Sequence, residues 1–492
     1  MRKALLCCLL VFAVLCGCQS NKPCTEHADE NEDLLCDLCD ESVVVVLDFY
    51  AVNDLHGKLV DGDNQPGVDE MTTYFRAMQA GDDHAILLSV GDMWQGSPES
   101  NLTNGLIITD WMNDVGFACM TLGNHEFDWG EEVIKENLAA ADFPFLAINI
   151  YDRETNRRVD YCQASVVIDC GSVQVGVIGA IGDCYSSILA EKVQDVYFKT
   201  GNELTAMVKA ESQRLRSEGV DIVVYSLHDG WDTTGNGCFT EDELASYYDL
   251  SLSNGYVDLV FEGHTHQKYL APDTHGVYHL QHRGDNTGGI SHVELSYNTV
   301  TEEVSVLYAE LVSGIYRDLP DDPIVDQLLQ KYQDRISYAD KVLGTNAKFR
   351  DRNELRQLIA DLYLRAGLEK WGGEYDIALG GGFISIRSPG QLTQGEVTYG
   401  MLQSLFPFDN ELVLCSIRGR DLLDRFINTG NDNYFISRAN NAAIDPSATY
   451  YIIVDTYTSS YAPNRLTEIA RYGADIFARD MLAELIRQGG LS

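Results

Sequence analysis

The chain has 492 residues, of which 45% are hydrophobic and 10% aromatic, so it has enough apolar material for more than one folded domain. Lys and Arg number 35 against 75 Asp and Glu, which gives a net charge of −40 at pH 7. This charge repels polyanions and argues against DNA, RNA or an anionic lipid surface as the main partner. A small phosphorylated ligand is compatible with it only where metal ions or arginines reverse the local field.

Residues 1–18 have the pattern of an export signal. Arg2 and Lys3 precede a short apolar run over residues 4–15, which is too short to span a bilayer as a helix. The run leads into Leu-Cys-Gly-Cys, which resembles a bacterial lipobox with Cys18 as the residue to be lipidated. The alternative is an ordinary signal peptide cut at a small residue. Both interpretations predict an exported protein, and the first predicts that only a lipid anchor attaches it to the membrane.

Residues 19–42 form an acidic segment with sulfur and imidazole donors spaced as in a tetrahedral Zn²⁺ site. These donors are Cys24, His27, Cys36 and Cys39. Oxygen donors at alternate positions from Asp29 to Asp33 instead resemble the start of a calcium loop. A flexible spacer with a disulfide is the third alternative. The segment therefore predicts an accessory structural Zn²⁺ or Ca²⁺ site, or a spacer without metal.

From residue 43 to residue 311, apolar runs typical of strands buried on both faces alternate with helical segments such as Glu131–Ala140 and Leu204–Ser217. The five clearest runs are 43–52, 85–90, 117–122, 221–227 and 257–261. The alternation predicts an α/β domain. Residues 312–344 are predicted to be a linker with one helix over 321–337, and residues 345–492 a second α/β domain.

Each of the five runs is followed by side chains that can bind metal ions. They are Asp54, His56, Asp92, Asn124, His228, His264 and His266, with His125 beside them. The carboxyl ends of strands in an α/β sheet meet at one crevice, so donors far apart in sequence can come together there. Mixed carboxylate, amide and imidazole donors suit two divalent cations, which can clamp a phosphoryl group and activate a water.

Five motifs stand at these strand ends. They are Asn53-Asp54-Leu55-His56-Gly57, Gly91-Asp92, Gly123-Asn124-His125-Glu126, Ser226-Leu227-His228 and Gly263-His264-Thr265-His266. They resemble the motifs of the calcineurin-like metallophosphoesterases. With Gly96-Ser97 and Phe127-Asp128, the chain resembles the bacterial 5′-nucleotidase and 2′,3′-cyclic-nucleotide phosphodiesterase branch over about residues 43–460. The resemblance implies a four-layer sandwich, joined by a helix to a second α/β domain that binds the substrate.

The same resemblance implies roles for individual residues. One divalent ion would be held by Asp54, His56, Asp92 and His266, and the other by Asp92, Asn124, His228 and His264. The ions would be two of Mn, Zn, Mg, Fe or Co. His125 would stabilise developing charge or protonate the leaving oxygen, and Asp128 would orient it. A carboxylate partner suits that role, because it raises the basicity of an imidazole and fixes its tautomer.

In the second domain, Gly380-Gly381-Gly382 followed by Arg387 resembles the family's substrate loop, and 406–410 resembles its aromatic motif. The resemblance implies that Phe408 and Tyr457 enclose a nucleobase, with Asn410 as a further contact. Arg387, with Arg350 or Arg352, would neutralise a phosphate or carboxylate of the substrate. Ordinary core packing is the alternative for the two rings. The chain departs from the family after Tyr457, where the acid that reaches the ribose is missing.

These features predict an exported hydrolase of nucleotide phosphate esters. Its expected partner is a small nucleotide-like substrate and no nucleic-acid polymer, and no particular oligomeric state is predicted. A UDP-sugar or sulfur-ester hydrolase on the same scaffold is one alternative. A catalytically decayed surface-binding lipoprotein is another, although decay would remove metal donors first and all seven are retained here together with His125 and Asp128.

Overall fold

The structure is a computed structural model. It describes residues 28–31, 34, 35, 37, 42–61, 67–82, 84–230, 248–284, 289–312, 319–387, 389–440, 442–461, 464–473 and 476–491. The predicted lipidation site and accessory metal ligands lie outside these residues; they are Cys18, Cys24, His27, Cys36 and Cys39. Within the described ranges, no helix is both long enough and apolar enough to cross a membrane.

The first of two six-stranded sheets contains the strands that precede three of the donor clusters. Its strands are β1 (Val44–Val52), β2 (Ala85–Ser89), β3 (Cys119–Thr121), β4 (Phe145–Leu146), β13 (Ile290–Asn298) and β14 (Val304–Val312). The order is β14-β13-β1-β2-β3-β4. Strands β1 to β4 are parallel, and β13 pairs antiparallel with both β1 and β14. The donor loops after β1, β2 and β3 therefore emerge at the same edge.

The second sheet contains the strands that precede the other two clusters. Its strands are β6 (Ser165–Asp169), β7 (Gln174–Ile181), β9 (Ile222–His228), β10 (Leu259–Glu262), β11 (Tyr269–Pro272) and β12 (Tyr278–Gln281). The order is β11-β12-β10-β9-β7-β6, and β7, β9, β10 and β12 run parallel. A separate two-stranded pair joins β5 (Ile150–Asp152) to β8 (Val196–Phe198).

Helices lie on the outer faces of the two sheets. The helices of this part of the chain are α1 (Asp69–Gly81), α2 (Pro98–Thr103), α3 (Leu106–Val115), α4 (Glu131–Ala140) and α5 (Gly201–Ser217). Phe49 of β1 and Phe261 of β10 share the core between the sheets. The next residue along β1, Tyr50, belongs to the outer core with Trp111 of α3, while Leu215 of α5 belongs to the core outside the second sheet. Alternate strand residues thus face different cores, and the predicted four-layer sandwich is confirmed.

Most predicted elements are confirmed. The helix over Glu131–Ala140 has the predicted ends, and the second predicted helix begins earlier, at Gly201. The single helix predicted over 321–337 is wrong in its extent, because α6 (Ile324–Lys331) and α7 (Gln333–Ile336) are separated at Tyr332. The Tyr332 hydroxyl donates a hydrogen bond to Asp110 Oδ2 at 2.7 Å, which ties the break to α3.

A five-stranded sheet organises the C-terminal part of the chain. Its strands are β16 (Ile377–Phe383), β18 (Leu412–Arg418), β19 (Tyr434–Arg438), β20 (Thr449–Asp455) and β21 (Thr467–Arg471), in the order β19-β16-β20-β18-β21. Strands β15 (Val342–Asn346) and β17 (Gly395–Thr398) form a separate pair. The helices are α8 (Arg352–Trp371), α9 (Tyr399–Leu405), α10 (Gly419–Leu422), α11 (Thr456–Ser460) and α12 (Ala478–Arg487). A capping box between Asp351 and Glu354 starts α8, which packs on this sheet through Leu355 and Ile359.

Candidate active site

The structure brings the seven predicted metal donors together on loops that follow β1, β2, β3, β9 and β10. Asp54, His56, Asp92, Asn124 and His228 are almost completely buried, and His264 and His266 are half-buried. The donors form two adjoining sets, in each of which the donor atoms lie within 4.8 Å of one another. One set contains Asp54, His56 and His266, and the other contains Asp92, His228 and His264.

In the first set, the ring nitrogens face a carboxylate. His266 Nε2 lies 3.2 Å from Asp54 Oδ1 and 3.1 Å from His56 Nε2. The other nitrogen of His56, Nδ1, lies 2.9 Å from the backbone oxygen of Gln95. Nδ1 therefore donates its hydrogen there, and Nε2 keeps a lone pair that points toward the other donors. This is how a histidine is held when it binds a metal ion.

Asn124, the seventh donor, adjoins the second set. Its Oδ1 lies 2.8 Å from His264 Nδ1 and 3.2 Å from His228 Nε2, and the same His228 nitrogen lies 3.2 Å from Asp92 Oδ2. His228 Nδ1 lies 2.7 Å from the backbone oxygen of Val90, so this ring is also fixed from behind. Asp92 additionally groups with His56 of the first set. It therefore lies between the two sets, where the sequence predicts a shared ligand.

The backbone of the donor loops is strained. Five donors have a left-handed conformation: Asp54 (φ 52°), His56 (φ 51°), Asp92 (φ 55°), His264 (φ 73°) and His266 (φ 54°). For residues other than glycine this conformation costs on the order of 1–3 kcal/mol each. Neither the neighbouring strands nor the helices require a left-handed conformation at these residues. The loops are therefore shaped by the position that these side chains must take.

Burial and neighbouring charges set the protonation states of the donors. Burial lowers the pKa of His56 well below its usual value and lowers the pKa of His264 to about 4, so both rings are neutral near pH 7. Burial alone would raise the pKa of Asp92, but the neighbouring His228 and other histidines hold it well below its usual value. Neutral imidazoles and ionised carboxylates are the forms that bind metal ions. His228 differs from the other two rings: burial would lower its pKa, but the Asp92 carboxylate raises it to about 10. A cation bound beside Asp92 would therefore have to displace the His228 proton, whereas His56, His264 and Asp92 already have the forms that bind metal ions.

His125 lies beside the donors and is held by Asp128. A 3₁₀ turn over His125–Phe127 places the two side chains together, with His125 Nδ1 2.8 Å from Asp128 Oδ2. The backbone nitrogen of His125 donates to Asp92 Oδ1 at 2.8 Å. Burial would lower the pKa of His125, but the Asp128 and Asp92 carboxylates raise it. His125 Nε2 is 3.4 Å from Arg387 Nη2 of the second domain.

Glu126 joins two donor loops, a role that its position in the sequence does not indicate. Its completely buried carboxylate accepts hydrogen bonds from the backbone nitrogens of Asp92 at 2.9 Å, Met93 at 2.9 Å and Gly123 at 2.7 Å. Burial, with Asp92 nearby, raises the pKa of Glu126 to about 7. The residue stands inside a predicted motif. However, its three donors come from two loops that are distant in sequence, so no local pattern reveals the role.

A cavity of about 780 Å³ lies over the donors, and both domains line it. The predicted substrate-binding residues that it contains are Arg352, Arg387, Phe408, Asn410 and Tyr457. The domains are in direct contact at its edge, where Asn101 Nδ2 donates to the backbone oxygen of Pro407 at 3.2 Å. The volume is in the usual range for a small-molecule site.

Aromatic rings form part of the cavity wall. The Phe408 ring is 5.6 Å from the His125 ring, and the Arg387 guanidinium lies 5.3 Å from the centre of Phe408. Tyr457 packs against Phe383, with 5.6 Å between the ring centres. Phe383, Phe408 and Tyr457 are half-buried and line the cavity. Phe383 was missed because its sequence position does not distinguish it from the aromatic residues of the core.

Arg350 is not brought to the cavity. The described residues that line it include Arg352 but not Arg350, whose Nε donates to Asn346 Oδ1 at 3.1 Å. Arg283 and Asp455 are charged lining residues that the sequence did not predict. Asp455 is buried and accepts a hydrogen bond from the Thr458 backbone nitrogen at 2.7 Å, and burial raises its pKa. It ends β20, close in sequence to the position where the family's ribose-binding acid is missing.

A four-layer sandwich with two adjoining sets of carboxylate, amide and imidazole donors at its strand ends defines a metallophosphoesterase. Residues 47–268 match the family model of the calcineurin-like phosphoesterases, so this part of the chain is a calcineurin-like phosphoesterase domain.

Relatives extend the similarity beyond this domain. Endonuclease YhcR of Bacillus subtilis (strain 168) is 25% identical over 473 residues, which cover 85% of this chain and 37% of that protein. A 5′-nucleotidase of Vibrio vulnificus (strain CMCP6) is 26% identical over 388 residues, which cover 70% of this chain and 68% of the relative. The crystal structure of a 5′-nucleotidase precursor from Thermus thermophilus has a TM-score of 0.70 at 18% identity, covering 90% of this chain and 96% of that one. The chain thus spans little more than a third of YhcR, and the likeness to the crystal structure shows a shared fold over both domains.

Proposed function

We propose that this protein hydrolyses the phosphate esters of small nucleotide-like molecules, as a 5′-nucleotidase, a 2′,3′-cyclic-nucleotide phosphodiesterase or both. The observation that carries the proposal is the 3.4 Å contact between Arg387 and His125. It places a permanent cation of the second domain directly beside the donors of the first. One cavity thus combines metal donors, a histidine that can exchange a proton and an arginine suited to phosphate.

The seven donors would hold two divalent ions, with Asp92 shared between them. When bound, such ions lower the pKa of a water and neutralise phosphoryl oxygens. The chain's own groups supply the rest. Because Nδ1 of His125 is tied to Asp128, Nε2 is the atom that can give a proton to the leaving oxygen. Arg387 would bind the phosphate from the side of the second domain.

The cavity wall supports a substrate with a base. Half-buried aromatic rings, Phe383, Phe408 and Tyr457, offer faces on which a base of any identity can stack. Three arginines, Arg283, Arg352 and Arg387, line the cavity together with four aspartates. An anionic ligand is therefore favoured beside these arginines, with bound cations offsetting the carboxylates among the metal donors. Asp455 could accept a hydrogen bond from a sugar hydroxyl in place of the missing family acid.

We also propose that the protein acts outside the cytoplasm as a lipoprotein anchored through Cys18. The support is the basic start of the chain, the short apolar run and the lipobox-like ending. Radiolabelled palmitate should be incorporated into the wild-type chain expressed in a bacterial host and not into the Cys18→Ala chain. Equal labelling of both chains would contradict the anchor.

Purified protein tests the activity. We would strip its metals with a chelator, reload it with Mn²⁺, Zn²⁺, Mg²⁺, Co²⁺ or Fe²⁺ and offer AMP, 2′,3′-cyclic AMP, UDP-glucose, a sulfur ester and single-stranded DNA. We expect cleavage of AMP, the cyclic nucleotide or both. Preference for UDP-glucose or the sulfur ester would favour the alternative hydrolases, and preference for DNA would contradict the expectation from charge. Two bound ions per chain without cleavage of any ester would favour a decayed binding protein.

A further inference from the structure

A second group of carboxylates lies at the start of α1, outside the lining of the cavity. Asp61, Asp69 and Glu70 each place one oxygen within 4.8 Å of the other two. Asp61 is exposed, Asp69 is half-buried and Glu70 is buried. Three like charges this close repel one another unless a proton or a cation lies among them.

Glu70 provides an independent sign of a missing partner. The residue is only 9% exposed, and its buried Oε2 accepts no hydrogen bond. An unsatisfied buried oxygen destabilises the fold more when it belongs to a charged group than when it belongs to a neutral one. The position of Glu70 in the first turn of a helix does not explain it, because such a carboxylate is stabilised by free backbone N–H groups, and Oε2 accepts from none.

The backbone holds the three residues in place. The Gly67 backbone nitrogen donates to Asp61 Oδ1, and Val68 donates to the Leu59 backbone oxygen at 3.2 Å. The backbone oxygen of Asp69 accepts from the Asp322 nitrogen at 3.3 Å, just before α6. The group therefore connects three parts of the chain: the loop after β1, the start of α1 and the segment that leads to the second domain.

We propose that Asp61, Asp69 and Glu70 bind a Ca²⁺ ion that is separate from the catalytic metals. The three donors are all carboxylates, and hard cations such as Ca²⁺ are bound by oxygen, whereas the catalytic sets contain imidazoles. A bound cation would satisfy Glu70 Oε2 and remove the repulsion. It would also fasten the loop that carries Asp54 and His56 to α1.

A proton shared between Asp69 and Glu70 is the competing explanation. Burial and a side-chain hydrogen bond with Asp69 raise the pKa of Glu70 to about 7, so a protonated pair could relieve part of the repulsion. The two explanations differ in a measurable way. A cation site takes up Ca²⁺ and gains thermal stability from it, whereas a protonated pair does neither.

Equilibrium dialysis with ⁴⁵Ca²⁺ tests the proposal, using the full chain loaded with Zn²⁺, which prefers the imidazole donors of the catalytic sets to an all-carboxylate site. We expect the wild type to bind a single Ca²⁺ and its melting temperature to rise with Ca²⁺. Glu70→Gln should raise the dissociation constant by at least about tenfold, because Ca²⁺ affinity depends on the number of charged ligands. Glu203→Gln, in the first turn of α5, is the matched control and should behave as wild type.

Asp61→Asn provides a second variant, since an exposed side chain can be changed without disturbing the core. It should also weaken Ca²⁺ binding by about tenfold. The proposal is overturned if the Zn²⁺-loaded wild type binds no Ca²⁺, or if folded Glu70→Gln and Asp61→Asn both bind it as the wild type does. The readout is Ca²⁺ binding and not phosphoesterase activity. Absence of Ca²⁺ binding therefore does not contradict the proposed function, and absence of hydrolysis does not contradict the Ca²⁺ site.

Discussion

Replacing His125 by alanine separates chemistry from metal binding. The ring lies next to the metal donors, and its geometry also permits a ligand role with His56 and Asp92. However, Nδ1 is occupied by Asp128 at 2.8 Å, and Nε2 faces Arg387 at 3.4 Å, which suits proton transfer to a substrate held by that arginine. We therefore expect His125→Ala to bind as many metal ions as the wild type does and to lose turnover.

The expected loss of turnover in His125→Ala follows from the role of His125 as a proton donor. A positioned acid or base contributes about 10²–10⁴-fold to the rate. This corresponds to about 3–5 kcal/mol of transition-state stabilisation, at 1.36 kcal/mol for each factor of ten. The loss should appear in kcat for AMP, whose ribose oxygen leaves with a proton. It should be much smaller for p-nitrophenyl phosphate, because nitrophenolate leaves without one.

The assay combines phosphate release with metal counting by plasma mass spectrometry. His275→Ala, which changes an exposed histidine, is the control and should match the wild type in both measurements. If kcat for AMP stays within about tenfold of the wild type, the proton-transfer role is wrong. If the metal count falls in step with activity, His125 is a ligand instead.

Asp128→Asn tests the same pair through pH. Because the Asp128 carboxylate raises the pKa of His125 against the effect of burial, the variant should have a lower His125 pKa. An acid catalyst is active below its pKa, so the alkaline limb of the kcat profile should move to lower pH by about 1 unit. An unmoved limb would show that His125 does not donate the proton.

Three further predictions concern metal, base and stability. Asp92→Asn removes the carboxylate that lies between the two donor sets and should bind fewer metal ions per chain than the wild type, with no turnover; an unchanged metal content would contradict its proposed role as a shared ligand. Phe408→Ala should raise KM for AMP by about 5–150-fold, because about 1–3 kcal/mol of base stacking is lost. KM for ribose 5-phosphate, which has no base, should stay unchanged; an equal rise in KM for both substrates would exclude stacking. Burial would lower the pKa of His279, but Glu262 at 2.8 Å raises it to about 9. The stabilisation by the charged His279–Glu262 pair is complete below about pH 6.5 and is lost as pH rises through about 9. His279→Gln should therefore lower the free energy of unfolding in urea by about 3–5 kcal/mol at low pH and flatten its dependence on pH.

The sequence by itself determined the layers and the donors. A fully apolar run predicts a strand buried on both faces, and its end in an α/β sheet is the place where polar side chains collect. These are local rules, so Asp54, His56, Asp92, Asn124, His228, His264 and His266 could be named, as could the helix over Glu131–Ala140. The pairing of His125 with Asp128 is local as well, since the residues are three apart.

Only the tertiary structure decided which residues from distant segments meet. Neighbouring arginines have the same sequence signal, but Arg352 reaches the cavity while Arg350 bonds to Asn346. The sequence does not distinguish Glu126 and Glu70 from the other glutamates, and only the fold shows that both are buried. Glu126 accepts hydrogen bonds from three backbone nitrogens, whereas Glu70 Oε2 accepts none. Burial and long-range contact depend on the packing of whole layers, and no spacing along the chain encodes them. The break at Tyr332 has the same origin, because a contact with α3 overrides a continuous helical pattern.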